Sequence, residues 1–291
     1  MEELGDPKIM LLCWFVGGVF ALTGALCYGE LGALFPEAGG EYVFLRESFG
    51  KGVAFLSGWI SLIVGFSAPI AAAAIAFGTY FFRMFPVTGH FDYTLPLLDL
   101  PIFTISPVTI LAVIAILVFS LVHYHSLSFG TKVQNGLTLF KVGLILVFII
   151  GGLLLGDGSI EHFAGDLNMG SIIDGKFAVS LIFVSFAYSG WNAAAYLGGE
   201  IRKPARNLPL ALLTGTVIVM GLYMLLNAVF IYALSPERMS GVLEVGTHSA
   251  ISLFGKGVSK YFSGAIALGL LSVLSAMIMA GPRVYYAMAK D

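Results

Sequence analysis

The chain has 291 residues, of which 58% are hydrophobic and 11% are charged, with a mean hydropathy of +0.93. A soluble domain carries about 25% charged residues, so this composition excludes an ordinary soluble fold. The net charge of −2 offers no electrostatic support for a nucleic-acid partner. The apolar residues fall in long blocks, which a helix tolerates on all its faces only in a lipid bilayer.

Seven apolar blocks follow one another along the chain, each long enough to span about 30 Å of hydrocarbon. They predict an all-α integral membrane protein whose residues 1–291 form a single transmembrane domain. The predicted helices are Ile9–Phe35, Val53–Phe82, Pro107–His125, Leu137–Leu155, Phe177–Gly198, Leu208–Leu234 and Phe262–Ala289. Pro69 in the second block predicts a kink.

The orientation of these helices follows from the density of lysine and arginine in the loops. The short loops Pro36–Gly52, Ser126–Gly136 and Gly199–Pro209, with the end of the chain, are rich in basic residues. The other loops are longer and hold most of the acids. We therefore expect the first set to be cytoplasmic in the cell membrane, with the N-terminus outside and the C-terminus inside.

The first candidate site is the stretch Phe186-Ala187-Tyr188-Ser189-Gly190-Trp191 in the middle of the fifth block. A serine-glycine pair weakens a helix and releases backbone polar groups. Such groups are tolerated at membrane depth only inside protein or beside a cavity, and broken helices of transporters present them to substrate. The alternative is a notch of small residues for helix packing.

Two charged residues within the blocks are also candidates. Lys141 lies inside the fourth block, where an ammonium needs a partner or water. Alternatively, its long side chain snorkels to the cytoplasmic interface. Glu30 lies near the cytoplasmic end of the first block, where a carboxylate paired with a nearby base is expected.

Metal and enzyme sites find no support in the pattern. His123 and His125 are two apart on a predicted helix and point to nearly opposite faces, so they cannot share an ion. No set of nucleophile, base and orienting residue can be assembled within the blocks. We therefore predict no enzyme activity, no metal and no cofactor.

At these motifs the chain resembles an amino acid permease of the APC (amino acid–polyamine–organocation) superfamily, nearest to its L-type-like bacterial members. The likeness runs through Gly24–Gly32, Pro36–Tyr42, Phe186–Trp191, Gly199–Pro209 and Gly281–Asp291, in order and with sensible spacing. These stretches resemble the family's second helix and following loop, its sixth helix and following loop, and the end of its eighth. The motif residues of the connections are Glu30, Pro36, Gly39, Gly40, Glu200 and Pro204.

The resemblance implies a LeuT-type fold of two inverted five-helix repeats, here incomplete, with about seven helices that match family helices two to eight. It implies substrate held at an unwound stretch that Phe186, Ala187, Tyr188, Ser189 and Gly190 match, with Trp191 directly after it. Lys141 matches a lysine that, in some proton-coupled relatives, occupies the ion position of sodium-coupled transporters. The implied function is secondary active transport of an amino acid, coupled to a proton or to a counter-substrate.

The family's first, glycine-broken helix has no room before Ile9, so we expect a truncated product or fragment. Two alternatives remain: a truncated remnant that does not transport, and a seven-helix receptor-like protein. A retinal-type photoreceptor would need a lysine deep in its last helix, and Phe262–Ala289 has none.

Overall fold

The structure, a computed structural model, describes residues 4–86, 91–97, 100–165 and 175–291. Within these residues, seven helical segments are long and apolar enough to cross a membrane. The prediction of an all-α membrane protein with seven spans is therefore confirmed. Large apolar side chains such as Leu139, Leu154 and Leu155 are more than three-quarters exposed, as expected for surfaces that face lipid.

The first span is helix α1, Pro7–Leu34. Asp6 caps its start, because its carboxylate accepts hydrogen bonds from the backbone amides of Lys8 at 2.7 Å and Ile9 at 3.2 Å. After the turn at Pro36, the short helix α2, Glu41–Phe49, leads into the second span.

The second span is not one uniform helix. It consists of α3 (Lys51–Ile60), a π-helical turn (Ser61–Ser67) and α4 (Ala68–Met84). Pro69 lies in the first turn of α4, where its missing N–H removes a hydrogen bond from the preceding turn. The wider π-helical turn accommodates the proline, so the predicted simple kink is in fact a change of helix type.

An antiparallel pair of strands, β1 (Tyr93–Leu97) and β2 (Leu100–Ile105), lies between the second and third spans. The sequence analysis did not predict this hairpin.

The third and fourth spans are α5, Pro107–His125, and α6, Leu127–Leu155. The prediction of a loop at Ser126–Gly136 is wrong for every residue but Ser126. Helix α6 starts at Leu127, ten residues before the predicted start at Leu137. Ser126 caps that start with its hydroxyl, which accepts a hydrogen bond from the amide of Phe129 at 3.4 Å. The polar residues that follow are helical, and hydropathy alone placed them outside the span.

The fifth span is divided into α7, Gly175–Tyr188, and a 3-10 helix, Ala193–Glu200. The sixth, α8, runs from Pro204 to Ala233, so most of the predicted loop Gly199–Pro209 is helical instead. Proline at the first helical position lacks only a donor that would be unpaired there in any case. Lys203, with φ of 50°, turns the chain into this helix.

Two short helices, α9 (Pro236–Met239) and α10 (Val245–Phe254), follow α8, and a 3-10 turn then leads into the last span, α11 (Ser259–Lys290). The long helices pack in two groups: α1 lies against α7 and α8, whereas α11 lies against α4, α5 and α6. The two groups meet directly where α6 packs against α8, and the 3-10 helix and α2 also contact α11. Buried Tyr42, Val43, Tyr196 and Val284 form part of that shared core.

Candidate functional site

The helix break lies near the middle of the fifth span. Helix α7 ends at Tyr188, thirteen residues or about 20 Å along its axis from Gly175. Gly190 has φ of 97°, a conformation that side chains with a Cβ rarely adopt. The amide of Ala193 then bonds to the carbonyl of Gly190 at 3.0 Å and begins the tighter 3-10 turn. The serine-glycine pair thus coincides with a real interruption of the helix.

Aromatic residues of α1 and α8 hold the α7 side of the break. The buried Tyr188 donates its hydroxyl to the carbonyl of Trp14 at 3.1 Å. Tyr223 donates its hydroxyl to the carbonyl of Ala187 at 2.9 Å. The rings of Tyr188 and Tyr223 lie 5.1 Å apart, centroid to centroid, and both contact the ring of Trp14. Tyr223 of α8 therefore holds the carbonyl of Ala187 near the end of α7, and Tyr188 ties the same end to α1.

Trp191 anchors the far side of the break against α1. Its ring lies 4.8 Å from that of Tyr28, edge to face. A Cβ placed on Gly24 would come within 2.7 Å of the same indole, so only glycine allows this approach.

Two polar residues that the sequence analysis did not assign complete the break. The amide of Asn192 donates to the carboxylate of Glu41 at 2.7 Å, and it lies 3.4 Å from the hydroxyl of Tyr196. Glu41 begins α2 directly after Gly39 and Gly40. A Cβ on Gly40 would lie 2.6 Å from the Tyr196 ring, and one on Gly39 would lie 2.6 Å from the Cβ of Ala287, so both positions require glycine. The position of Glu41 within the Pro36–Tyr42 motif was the signal that could have identified it.

An open cavity of about 430 Å³ adjoins this polar group. Its wall includes Glu41 and Tyr196 on one side and Ser61, Gly65 and Phe66 of the π-helical turn on the other. The volume suits a small molecule. Phe186, Ala187, Ser189 and Gly190 are exposed, whereas Tyr188 is buried and Trp191 half-buried. The predicted residues are thus divided between an exposed face and an anchored one.

Lys141 lies in α6 and packs against α11. A Cβ added to Gly269 would lie 3.8 Å from the Cγ atom and 3.9 Å from the Cδ atom of Lys141. No carboxylate among the described residues comes within 4.0 Å of its ammonium. Lys141 therefore lies in the group formed by α4, α5, α6 and α11, where it packs beside α11.

Charged residues cluster where α2, the 3-10 helix and α11 end. The guanidinium of Arg283 holds the carboxylate of Glu200 through two nitrogens at 3.1 Å each. Arg46 pairs with Glu37 at 3.0 Å and with Asp291 at 3.2 Å. Pro36, Glu200 and Arg283 line a second open cavity of about 680 Å³ at this face.

Hydrogen bonds and charges in this cluster shift the pKa values of Tyr42 and Asp291. The hydroxyl of Tyr42 donates to Asp291 at 2.9 Å. This hydrogen bond, with the charge of Arg46, lowers the pKa of the Asp291 carboxyl. Burial and the same carboxylate raise the pKa of Tyr42. Both shifts favour a charged Asp291 and a neutral Tyr42 at physiological pH.

The remaining motif residues have structural positions. Gly39 donates its amide to the carbonyl of Tyr196 at 3.1 Å and ties the loop to the 3-10 helix. Pro204 begins α8. Glu30 is exposed and forms no ion pair with a described residue, so the expected basic partner is not found.

Comparison with known proteins places these features in a family. The family model described as amino acid permease matches residues 3–291. The chain is 30% identical to the serine/threonine exchanger SteT of Bacillus subtilis (strain 168) over 98% of its length and 61% of that protein's. It is 35% identical to human b(0,+)-type amino acid transporter 1, over 79% of the chain and 45% of that protein.

A third relative, human large neutral amino acids transporter small subunit 2, is 27% identical over 100% of the chain and 53% of its own length. The chain thus spans between about half and three-fifths of the length of these curated relatives. The family match covers almost every residue, including the break, Lys141 and the charged cluster. The chain therefore belongs to the amino acid permease family.

Proposed function

We propose that this chain acts in secondary transport of amino acids across the cell membrane, by exchange of one amino acid for another or coupled to protons. The observation that carries the proposal is the interrupted fifth span in a chain of this family. The names of the relatives, an exchanger and two amino acid transporters, support amino acids as substrates and exchange as a mode. The receptor alternative has no comparable support.

The break is proposed as part of the substrate site. The C-terminal end of α7 directs carbonyl groups and the negative end of its helix dipole toward the break, which suits the ammonium of an amino acid. Ser189 and Gly190 leave backbone exposed there. The side chain of Phe186, which is 73% exposed, adds an apolar surface beside it. Tyr188 and Trp191 then act as anchors that hold the geometry.

Lys141 is proposed as the coupling residue. The half-buried side chain of Lys141 would supply a positive charge at the interface with α11, or a site where a proton is bound and released. The absence of an ion-pair partner among the described residues favours a charge that can change during the cycle over one held permanently.

The charged cluster at Arg46, Glu200 and Arg283 is proposed to face the cytoplasm, in keeping with the density of basic residues there. The N-terminus is then outside and the C-terminus inside. Reporter fusions at the loop 201–203 and at the C-terminus test this orientation, because both should respond as cytoplasmic.

The transport proposal is tested by uptake of labelled serine, threonine and leucine into proteoliposomes holding the chain, with and without internal amino acid. We expect uptake above empty vesicles, stimulated by internal amino acid if exchange operates. Gly190→Val should abolish it, because φ of 97° is strained for a β-branched residue.

The matched control for this variant is Gly215→Ala in α8, whose added Cβ meets no atom within 4 Å. It should transport like the parent. No uptake above empty vesicles by the parent chain would contradict transport by this polypeptide. Normal uptake by Gly190→Val would contradict a substrate site at the break.

A further inference from the structure

A row of polar side chains lies between α5, α6 and α11, apart from the helix break. The imidazole Nε2 of His123 lies 3.0 Å from the hydroxyl of Ser275. The hydroxyls of Thr138 and Ser272 lie 3.5 Å apart, and the amide of Gln134 donates to Thr138 at 3.2 Å. We call His123, Gln134, Thr138, Ser272 and Ser275 the polar strip.

The strip follows matching faces of two antiparallel helices. On α6, Gly130, Gln134, Thr138 and Lys141 are separated by four, four and three residues and so share one face. On α11, Gly269 lies beside Lys141 and Ser272 beside Thr138. Ser275 contacts His123 of α5, which lies beside Gly130 at the start of α6. The row thus extends about 16 Å, from the end of α5 to Lys141.

Several groups along the strip lack partners among the described residues. The Oε1 atom of Gln134 is buried and accepts no hydrogen bond. The ammonium of Lys141 carries three donors and no carboxylate is near it. Ser272 and Ser275 are fully buried. In a dry interface, apolar residues at these positions would give a more stable fold than buried hydroxyls.

A short chain of water molecules would satisfy these groups together. Gln134 and Lys141 are seven residues apart, or about 10 Å along the helix, a distance that about three hydrogen-bonded waters cover. Thr138, which lies between them, is exposed at the edge of the strip and offers a hydroxyl to the same waters. Both Gln134 Oε1 and the ammonium would then be hydrogen-bonded.

We propose that the polar strip is a hydrated route that joins Lys141 to the aqueous phase on the side where α5 ends and α6 begins. The five strip residues position this water, and Lys141 thereby contacts one side of the membrane through it. The purpose of the route rests on the proposed coupling role of Lys141, but its existence is testable without transport.

The test is the accessibility of single cysteines to a charged, membrane-impermeant methanethiosulfonate in proteoliposomes. The background replaces the two native cysteines, Cys13 and Cys27, with alanine. The matched pair is Thr138→Cys in the strip and Leu139→Cys beside it, both at exposed positions. Only a thiol in water ionises and reacts, so we expect Thr138→Cys to react at least about tenfold faster.

Sidedness and the role of His123 provide two further measurements. Labelling of Thr138→Cys should be faster when reagent is added on the side of the α5–α6 connection. His123→Phe should slow it, whereas His123→Gln, which keeps a polar group facing Ser275, should leave it nearly unchanged. Labelling of Lys132→Cys, at the exposed start of α6, gives the reference rate for a fully accessible thiol on this helix.

Equal, slow labelling at Thr138→Cys and Leu139→Cys would overturn the proposal, as would equal labelling from both sides. Fast, one-sided labelling in a chain without amino acid uptake would support the hydrated route while contradicting the proposed function. The two proposals therefore fail on different readouts.

Discussion

At the scale of single residues, the chemistry depends on polar groups held at membrane depth by specific neighbours. Asn192 is fixed by the Glu41 carboxylate at 2.7 Å, and Ala187 by the Tyr223 hydroxyl at 2.9 Å. Lys141 differs, since its stem packs on α11 while its ammonium has no described carboxylate partner. The proposed coupling role requires an ammonium that can release its proton, and no described carboxylate holds it in the charged form.

The proposed coupling role of Lys141 predicts the effect of Lys141→Ala. We expect this variant to lose proton-driven uptake and its dependence on external pH, because the proton-binding group is absent. Uptake is measured across a pH series in vesicles with an imposed proton gradient.

Lys132→Ala, which removes an exposed cation from the same helix, serves as the control and should behave like the parent. A pH profile of Lys141→Ala identical to that of the parent would eliminate the proposed role.

At the scale of helices, close approach of backbones determines how the spans pack. The pair α1–α8 meets at Gly29, where an added Cβ would lie 3.2 Å from the Cα of Pro209. Such contacts between small residues and backbone are the main source of helix association in lipid, because hydrophobic burial drives little there. The same two helices supply Trp14 and Tyr223 to the break.

The contact between α1 and α8 predicts that Gly29→Leu destabilises the protein by about 1 to 3 kcal/mol, because the larger side chain separates the two backbones. Thermal unfolding in detergent measures this as a lower Tm. Gly221→Leu on α8, where no atom lies within 4 Å of the added Cβ, should leave Tm nearly unchanged. Equal Tm values for Gly29→Leu and the parent would contradict tight packing at this point.

At the scale of the whole molecule, the two helix groups are joined by the contact between α6 and α8, and also by the 3-10 helix, α2 and the charged cluster. Arg283 of α11 reaches Glu200 at the end of the 3-10 helix, and its guanidinium also donates to the carbonyl of Met279. Arg46 of α2 contacts Asp291 beyond the end of α11. The end of the 3-10 helix and the last span are thereby held together by ion pairs at one face of the molecule.

The ion pair between Arg283 and Glu200 predicts that reversing one charge lowers stability and that reversing both recovers part of it. Arg283→Glu should lower stability, because two carboxylates then face each other, and the double variant with Glu200→Arg should recover part of the loss. A double-mutant cycle on Tm should give about 1 kcal/mol of coupling, as a two-point guanidinium–carboxylate contact is stronger than a simple surface pair. Additive effects would show that the pair does not interact.

The sequence by itself determined the number of spans and their order, and it marked Ser189-Gly190 as a point where a helix could break. Long apolar blocks are stable only as helices in lipid, and Ser189-Gly190 weakens a helix whatever surrounds it. The limits of α6 and α8 were predicted wrongly, because hydropathy does not register the polar helical turns after Ser126 and Pro204.

Only the tertiary structure decided which residues meet. Glu41 with Asn192, Arg283 with Glu200, and His123 with Ser275 are separated by 151, 83 and 152 residues along the chain. No local pattern encodes such pairs, since they arise when packed helices bring distant positions together. Two adjacent residues, Ser189 and Gly190, marked the possible break. The site around it depends on four spans that lie side by side.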